Sequence, residues 1–362
     1  MGTISSTLDR PLRTAAVIGT EDEAIAVTRT IAHLFGGAGG QSDTAEARLA
    51  LLSRSGLLGI SVPTDDGGID VSNTVLAAVC SDAASHSSTL GNILAAHFGG
   101  IELLRSYGTE GQRKTVFAAA LAGARLARGV VRAKDNTEAL PLVSNGLAWR
   151  LAGEALCTPC TRHADWLLLP TQNGGRTACA LLPTRIEGLR YVANSCEPAN
   201  GAPQPAEHVL FKDAVLEGDV LLHAAGDVTP PPVARSLELL LDAAQQLGAA
   251  RASLWHLLDA GKASPLAVGY LSSRLAATEA MIAEAGRAID AAQIGLADHN
   301  RTNAFLAAVS ALSAAQESEQ QAEAAIRGGD VSRQLAPHVV AALAESGMIV
   351  IEAHAHPPED GE

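Results

Sequence analysis

The stretch that decides the fold is residues 89–125, TLGNILAAHFGGIELLRSYGTEGQRKTVFAAALAGAR. Its first part predicts an apolar helix, and YGTE at 107–110 predicts a tight turn before a second, shorter helix. One face of the first helix is formed by residues spaced four, four and three apart: Ile93, His97, Ile101 and Leu104. The stretch therefore predicts two consecutive helices joined by a tight turn, the first of them with an apolar face.

His97 is the titratable group on that apolar face, and two interpretations of it stay open. A buried histidine is commonly hydrogen-bonded to the backbone around it. Alternatively, the ring points into a ligand cavity between helices. The spacing of the apolar residues does not choose between these interpretations.

The sequence before this stretch predicts further helices over residues 14–35, 44–55 and 74–85. Between the last two lies GLLGISVPTDDGG, residues 56–68, a short apolar run followed by a turn rich in Asp and Gly. The first third of the chain is therefore predicted to be entirely helical.

The pattern changes after Gly123. Short β-like runs at 149–151, 166–169, 177–182 and 209–216 are separated by turn residues and predict an antiparallel β domain. Thr229-Pro230-Pro231-Pro232 then forms a rigid linker, and four helical segments follow with short connections, which is typical of an up-down bundle.

These segments predict an α+β chain in three domains and a tail. The helical domain is expected at 1–124, the β domain at 125–228, the four-helix bundle at 229–347 and a flexible tail at 348–362. The 362-residue length is sufficient for a sizeable core.

Composition restricts the function. Hydrophobic residues make up 47% of the chain but aromatic residues only 3%, which favours closely packed, alanine-rich helices. The net charge of −13 argues against nucleic acid and anionic membranes as partners. No run of 18 apolar residues predicts a transmembrane helix, and the expected location is cytoplasmic.

Five cysteines at irregular spacing do not predict a disulfide framework. Cys157 and Cys160 form a C-x-x-C pair, but no second pair accompanies it, so a structural role is favoured and no metal site is expected.

Four segments together resemble the acyl-CoA dehydrogenase superfamily, in the same order along nearly the whole chain. They are GLLGISVPTDDGG at 56–68, SYGTEGQRKTVFAAALAG at 106–123, WRLAGEALCTPCTRHADWLLLP at 149–170 and LGAARASL at 247–254. This resemblance implies an acyl-CoA dehydrogenase-like fold of helical domain, β domain and four-helix bundle.

Within the superfamily, LGNILAAHFGGIELLRSYGT at 90–109 and AEAGRAIDAA at 283–292 are more similar to the flavin-dependent monooxygenase branch. That branch contains the sulfur-acquisition oxidoreductases and dibenzothiophene monooxygenase. The similarity implies FAD or FMN as cofactor, oxygen as co-substrate, and a small organic or sulfur compound as substrate. It also implies that His97 is the catalytic group.

The resemblance also indicates which residues would contact the flavin. In the first flavin turn, VVRAKDNTEA at 130–139, the candidates are Arg132, Lys134 and Thr137. In the second, they are Thr158 and Cys160, which flank Pro159, a residue without a backbone N–H.

Three functions follow from the resemblance. The first is a flavin monooxygenase. The second is an acyl-CoA dehydrogenase, which needs a carboxylate base; Glu352 is the acid in the late segment IVIEAHAH. The third is a non-catalytic member that assembles with a partner, because both flavin turns depart from the family pattern.

The run at 298–301, DHNR, is expected to be a solvated loop. A homodimer, a homotetramer or a complex with a catalytic paralogue is expected.

Overall fold

The computed structural model describes residues 14–36, 44–130, 139–146, 148–173, 176–192, 206–217, 219–222, 232–261, 264–295, 297–327 and 335–356. Within these ranges, the N-terminal part contains five α-helices: α1 Glu21–Phe35, α2 Ala45–Arg54, α3 Asn73–His86, α4 Ser88–Tyr107 and α5 Glu110–Leu121.

Side-chain caps set where these helices begin. Thr20, Thr44, Ser72 and Ser87 each accept a hydrogen bond from a backbone N–H in the first turn of α1 to α4. At α5, Thr109 and Gln112 form a reciprocal capping box. The predicted turn at 107–110 is therefore the junction of α4 and α5, and the predicted order of helix, turn and second helix is confirmed.

In the middle of the chain, the described residues form one eight-stranded sheet. Its strands are β1 Leu126–Val130, β2 Leu140–Asn145, β3 Ala148–Cys157, β4 Trp166–Asn173, β5 Arg176–Pro183, β6 Leu189–Tyr191, β7 Glu207–Glu217 and β8 Leu221–Leu222. Along the main path the order is β6-β7-β3-β1-β4-β5-β8, and β2 pairs with both β3 and β4.

The sheet is mixed rather than purely antiparallel, which corrects the sequence-based expectation. β4 runs parallel to β1 and to β2, whereas the other pairs are antiparallel. The Asp165 carboxylate accepts the backbone N–H of Arg125 at 2.9 Å, so the starts of β1 and β4 are tied side by side. Local β propensity predicts that a segment is a strand, but it does not predict whether the neighbouring strand is parallel or antiparallel.

The sheet packs closely against α4. A Cβ at Gly100 would lie 2.9 Å from Leu168 and 3.0 Å from Leu126, so glycine permits this approach. Leu126 and Leu168 share a buried cluster with residues of α4 and α5, including Ile101, Leu104 and Phe117.

Four long helices complete the chain: α6 Val233–Asp259, α7 Pro265–Ile294, α8 Asp298–Ile326 and α9 Pro337–Ala355. Small buried residues line the inner face of α8: Ala304, Ala308, Ala311, Ala315, Ala322 and Ala325. These alanines allow α8 to pack closely against α6 and α7.

Two predictions at this end of the chain were wrong. α9 continues to Ala355, so part of the stretch 348–362 predicted as a flexible tail is helical. The run 298–301 is the first turn of α8 rather than a loop, and Asn300 donates from its side chain to the carbonyl of Gly295 at 3.0 Å.

α9 is the most exposed of the bundle helices. Only Gly347 is buried along it, and Met348 and Ile349 are 51% and 62% exposed. Among the described residues, α9 is the one helix long and apolar enough to cross a membrane by length and composition. Here it lies on α7, where Gly269 and Gly347 let the two backbones approach closely.

Candidate functional site

A small pocket lies where α4, β1 and α6 meet, and it has a volume of about 140 Å³. One face of α4 lines it through residues spaced four apart: Gly99, Leu103 and Tyr107. The opposite wall comes from Arg128 on β1 and from the start of α6. Arg128 is close to the carboxyl end of β1, where the predicted first flavin turn begins.

An ion-pair cluster occupies this junction. Arg128 donates from Nη2 to Glu238 Oε1 at 2.7 Å, and Arg235 donates from Nη1 to Glu238 Oε2 at 2.6 Å. Burial raises the pKa of the Glu238 carboxyl, but the two guanidinium groups outweigh burial and hold that pKa below its usual value. Glu238 is therefore a stable carboxylate that positions both arginines.

Glycine at position 99 leaves room for the guanidinium of Arg128. A Cβ there would lie 3.2 Å from Nη1 of Arg128, so a larger residue would require the guanidinium to shift by a few tenths of an ångström. One turn after Glu238, desolvation and then the charge of Glu238 raise the pKa of Asp242 to about 6, against the opposing effect of Arg128 and Arg235. The junction thus carries two carboxyls with opposite pKa shifts.

A larger cavity of about 1210 Å³ adjoins the pocket, and Tyr107 and Pro232 line both. It lies between the 63–70 segment, the end of α4, one face of α5 and the α7–α8 junction. Its wall contains basic and acidic side chains: Arg105, Arg113, Lys114, Arg301, Asp65, Asp66, Asp70, Glu102 and Glu110. Its size exceeds that of typical small-molecule sites, which are about 300–1,000 Å³.

Glu102 forms part of the inner wall of this cavity and is buried. Its carboxylate accepts hydrogen bonds from Ser106 at 3.0 Å and from Gln293 at 3.0 Å. Gln293 in turn accepts from Asn73 at 2.9 Å, so the network links α4, α7 and α3. Burial raises the pKa of Glu102, although Arg105, Ser106 and Gln293 oppose the rise.

His97, the predicted catalytic residue, is fully buried. Its Nδ1 accepts the backbone N–H of Leu126 at 3.1 Å, and its Nε2 lies 2.7 Å from the carbonyl oxygen of Leu58. Because Nδ1 is an acceptor, the proton is on Nε2 and is donated to Leu58. This is the geometry of the backbone-bonded alternative, and a catalytic role of His97 stays a prediction.

In the second predicted flavin turn, Thr158 forms hydrogen bonds to the backbone of Arg128. Thr158 donates from its hydroxyl to the Arg128 carbonyl at 3.0 Å and accepts the Arg128 N–H at 3.1 Å. The Thr158 N–H also binds that carbonyl, at 2.8 Å. Cys160 has a left-handed backbone with φ of 61° and is buried in the helical core. Arg132, Lys134 and Thr137 lie outside the described residues.

Of the described residues predicted or observed near this junction, the arginines have the chemistry to contact a flavin and the 158–160 turn does not. The hydroxyl and N–H of Thr158 bind Arg128, and Pro159 has no N–H, so neither of these residues supplies a donor to a ligand. The guanidinium of Arg128 fits better, because a positive charge suits the electron-rich ring of a reduced flavin. Gly99, which has no side chain, faces the same guanidinium. The fit is therefore through Arg128 and Arg235, not through the 158–160 turn.

The C-x-x-C pair and the late acid do not belong to this site. Cys157 and Cys160 are both buried, and burial followed by the charge of Glu207 raises the pKa of Cys157 to about 12. Glu352 is exposed on α9. Within the described ranges, no group of three or more His, Cys, Asp or Glu side chains could hold a metal ion.

Sequence reasoning missed the residues that meet here. Arg128 lies in a short strand and Glu238 on a helix 110 residues later, so no local motif joins them. Glu102 carried a usable signal, since it is a lone acid between Ile101 and Leu103 in an apolar helix. Such a placement already indicates a buried carboxyl.

The comparisons with known proteins agree with this architecture. Residues 35–124 match the family "Acyl-CoA dehydrogenase, N-terminal domain". No curated protein sequence matches the chain. Dibenzothiophene monooxygenase TdsC from Paenibacillus sp. A11-2, in its complex with FMN and indole, superposes with a TM-score of 0.70 at 18% identity, over 94% of this chain and 93% of that one.

Two further solved structures share the fold. Methanesulfinate monooxygenase MsuC from Pseudomonas fluorescens has a TM-score of 0.71 at 17% identity, over 94% of each chain. The nitrososynthase from Micromonospora carbonacea var. africana has a TM-score of 0.68 at 16% identity, over 97% of this chain and 96% of that one. The chain therefore has the acyl-CoA dehydrogenase fold, and residues 35–124 are similar to the N-terminal domain of that family.

Proposed function

We propose that this protein is a flavin-dependent oxidoreductase of the monooxygenase type, acting on a small organic or sulfur compound. The observation that carries the proposal is the match of fold over more than nine-tenths of the chain to TdsC and MsuC, which are monooxygenases. TdsC has been crystallised with FMN, which makes FMN the first cofactor to test.

The ion-pair cluster is consistent with this function. A flavin seated at the end of β1 would lie beside Arg128, whose position is fixed by Glu238 and by the space left at Gly99. When bound, the flavin would supply the redox chemistry. The residues of this chain would orient it, and their positive charges would favour its reduced, anionic form.

A second function is favoured by one specific observation. The 158–160 turn makes its hydrogen bonds within the protein, as expected of a member of the fold that no longer binds flavin. Such a chain would act as a non-catalytic subunit and assemble with a catalytic paralogue. An acyl-CoA dehydrogenase activity has no comparable support, because Glu352, its candidate base, is exposed on α9.

Flavin titration separates the two functions. For a flavin enzyme, FMN or FAD should bind saturably with a Kd near 1 μM, on the order of −8 kcal/mol. Arg128→Gln should weaken binding at least about tenfold, since a hydrogen bond to a charged group contributes about 1.5–3 kcal/mol. Fluorescence quenching of the flavin is the measurement.

Arg150→Gln is the matched control. Arg150 is also on a strand of the sheet and is also paired, to Asp213 at 2.5 Å, but it is exposed and away from the junction. Its flavin Kd should equal that of the wild type. Absence of saturable binding to both flavins would eliminate the oxidoreductase and leave the non-catalytic subunit.

We further propose that the chain forms a homo-oligomer through α9. Met348 and Ile349 are adjacent exposed apolar residues on a helix whose inner face already packs against α7. An exposed apolar surface of this kind marks an interaction site. A second copy of the chain would cover it.

Charge placed on this surface should dissociate the oligomer. Ile349→Glu is expected to reduce the mass measured by light scattering to that of a single chain, because a buried, unpaired carboxylate is costly at an interface. Val143→Glu, at a 60% exposed position on β2, is the control and should leave the mass unchanged. A wild-type protein that is monomeric at high concentration would contradict the proposal.

A further inference from the structure

The larger cavity contains a guanidinium group with an unused donor. Arg301 lines the cavity near the start of α8 and forms an ion pair with Asp298 one turn earlier. Its Nε is buried and has no hydrogen-bond partner among the described residues. Because the Nε is shielded from the cavity, a ligand there would meet the Nη nitrogens of the guanidinium, since the Arg301 side chain is 27% exposed. Four further N–H donors belong to the same planar group, of which Asp298 engages one nitrogen.

The surroundings of Arg301 favour a negatively charged ligand. Arg113 and Lys114 line the α5 side of the same cavity. Tyr107 is close enough to Arg301 for the guanidinium charge to act on its phenol pKa, which desolvation raises and Arg301 lowers. These groups together offer a fork of N–H donors, a phenol and two further positive charges.

The acidic residues of the cavity are in part engaged by other side chains and in part exposed to solvent. Asp70 is paired with Arg105, so its charge is neutralised locally. Glu102 is buried, and its carboxylate is engaged by Arg105 at 3.7 Å and by hydrogen bonds from Ser106 and Gln293. Asp65, Asp66 and Glu110 are exposed at the rim, where solvent screens them.

We propose that the larger cavity binds a small organic anion, a carboxylate or phosphate ester, with Arg301 as the residue that anchors its charged group. A guanidinium binds both groups through two parallel N–H···O hydrogen bonds. The rest of the molecule would extend past Tyr107 toward Arg128, because Tyr107 lines both the cavity and the smaller pocket. That this anion is the substrate rests on the proposed function. That the cavity binds an anion does not depend on flavin binding.

Calorimetry with three probes tests the site in the flavin-free protein. Benzoate supplies a carboxylate, phenyl phosphate a phosphate ester, and benzamide the same ring without charge. At least one anion should bind saturably and at least about tenfold more tightly than benzamide, a difference in line with a charged hydrogen bond. The tighter of the two anions identifies the class of the ligand.

Variants assign the binding to Arg301. Arg301→Gln should weaken the preferred anion at least about tenfold, and Arg301→Lys should restore part of the affinity through its charge alone. Arg287→Gln is the control, because Arg287 is exposed on α7 and paired with Glu284 in the same helical spacing as Arg301 with Asp298. Circular dichroism of each variant confirms that it is folded.

The outcomes are distinct from those of the flavin titration. Equal binding of benzamide and the anions, no binding of any probe, or an unchanged affinity in Arg301→Gln would each overturn the anion site. A protein that binds flavin but none of the probes would lose only this inference. A protein that binds an anion but no flavin would keep the site and lose the proposed oxidoreductase.

Discussion

Replacing His97 with alanine should destabilise the protein by about 4 kcal/mol. The change leaves the buried carbonyl of Leu58 and the buried N–H of Leu126 without partners, at about 1–3 kcal/mol each, and opens a cavity in addition. These two bonds join three parts of the chain: the 57–59 turn, α4 and β1. Urea denaturation followed by far-UV circular dichroism is the measurement.

His208→Ala is the matched control for this effect. His208 is on β7, 38% exposed, and its ring nitrogen lies 3.1 Å from Glu154. Loss of a surface pair of this kind changes stability by less than about 1 kcal/mol. If His97→Ala instead kept its stability and lost turnover, the catalytic prediction for His97 would be supported and the backbone-bonded role contradicted.

The same imidazole should make stability depend on pH. Burial lowers the pKa of His97 to about 4, and the charge of Arg125 contributes to the decrease, although the bond to Leu58 opposes it. The unfolded chain, with an imidazole pKa near 6.5, therefore binds the proton first. The contribution of the neutral His97 ring to the free energy of unfolding is fully present above pH 6.5. It is lost as the pH falls to 4, and the loss amounts to about 3 kcal/mol.

A variant isolates this contribution from those of other groups. Asp242 and Glu102 have raised carboxyl pKa values, and their contributions to stability change with pH in the opposite direction. The free energy of unfolding of the wild type and of His97→Gln should be compared between pH 7.5 and 4.5, because the contributions of Asp242 and Glu102 are the same in both proteins. A wild-type stability that falls no more steeply than that of the variant would show that His97 does not titrate in this window.

The second large effect is expected where α7 and α9 cross. A Cβ at Gly347 would lie 1.7 Å from the carbonyl oxygen of Pro265, and one at Gly269 would lie 1.7 Å from that of Leu343. Backbone atoms cannot move aside as the end of a side chain can. Gly347→Ala should therefore separate the helices, at about 3 kcal/mol, the upper end of the cost of overpacking. Amide hydrogen exchange in residues 337–355 should accelerate.

Gly111→Ala provides the control. Gly111 lies within α5, and a Cβ there meets nothing within 4 Å. Alanine is favoured over glycine in a helix by about 1 kcal/mol, so this variant should be slightly more stable than the wild type. If amide hydrogen exchange in α9 is unchanged in Gly347→Ala, the two helices do not cross as closely as they do in the structure. Separation of α9 should also abolish the proposed oligomer.

The sequence by itself determined the elements and their order. The tight turn at residues 107–110 and the change of hydrophobic period after Gly123 are local signals, because each depends on residues close together in the chain. Together with four motifs, they were sufficient for the fold of helical domain, β domain and four-helix bundle.

Only the tertiary structure decided how distant segments meet. The parallel pairing of β1 with β4 depends on Asp165 reaching Arg125, and the ion-pair cluster brings Arg128 to Glu238 from 110 residues away. His97 has a pattern compatible with either a core or a catalytic role, and its partners at Leu58 and Leu126 come from other elements. Hydrogen-bond partners and burial are properties of packed surfaces, so one helix face cannot specify what the rest of the chain places against it.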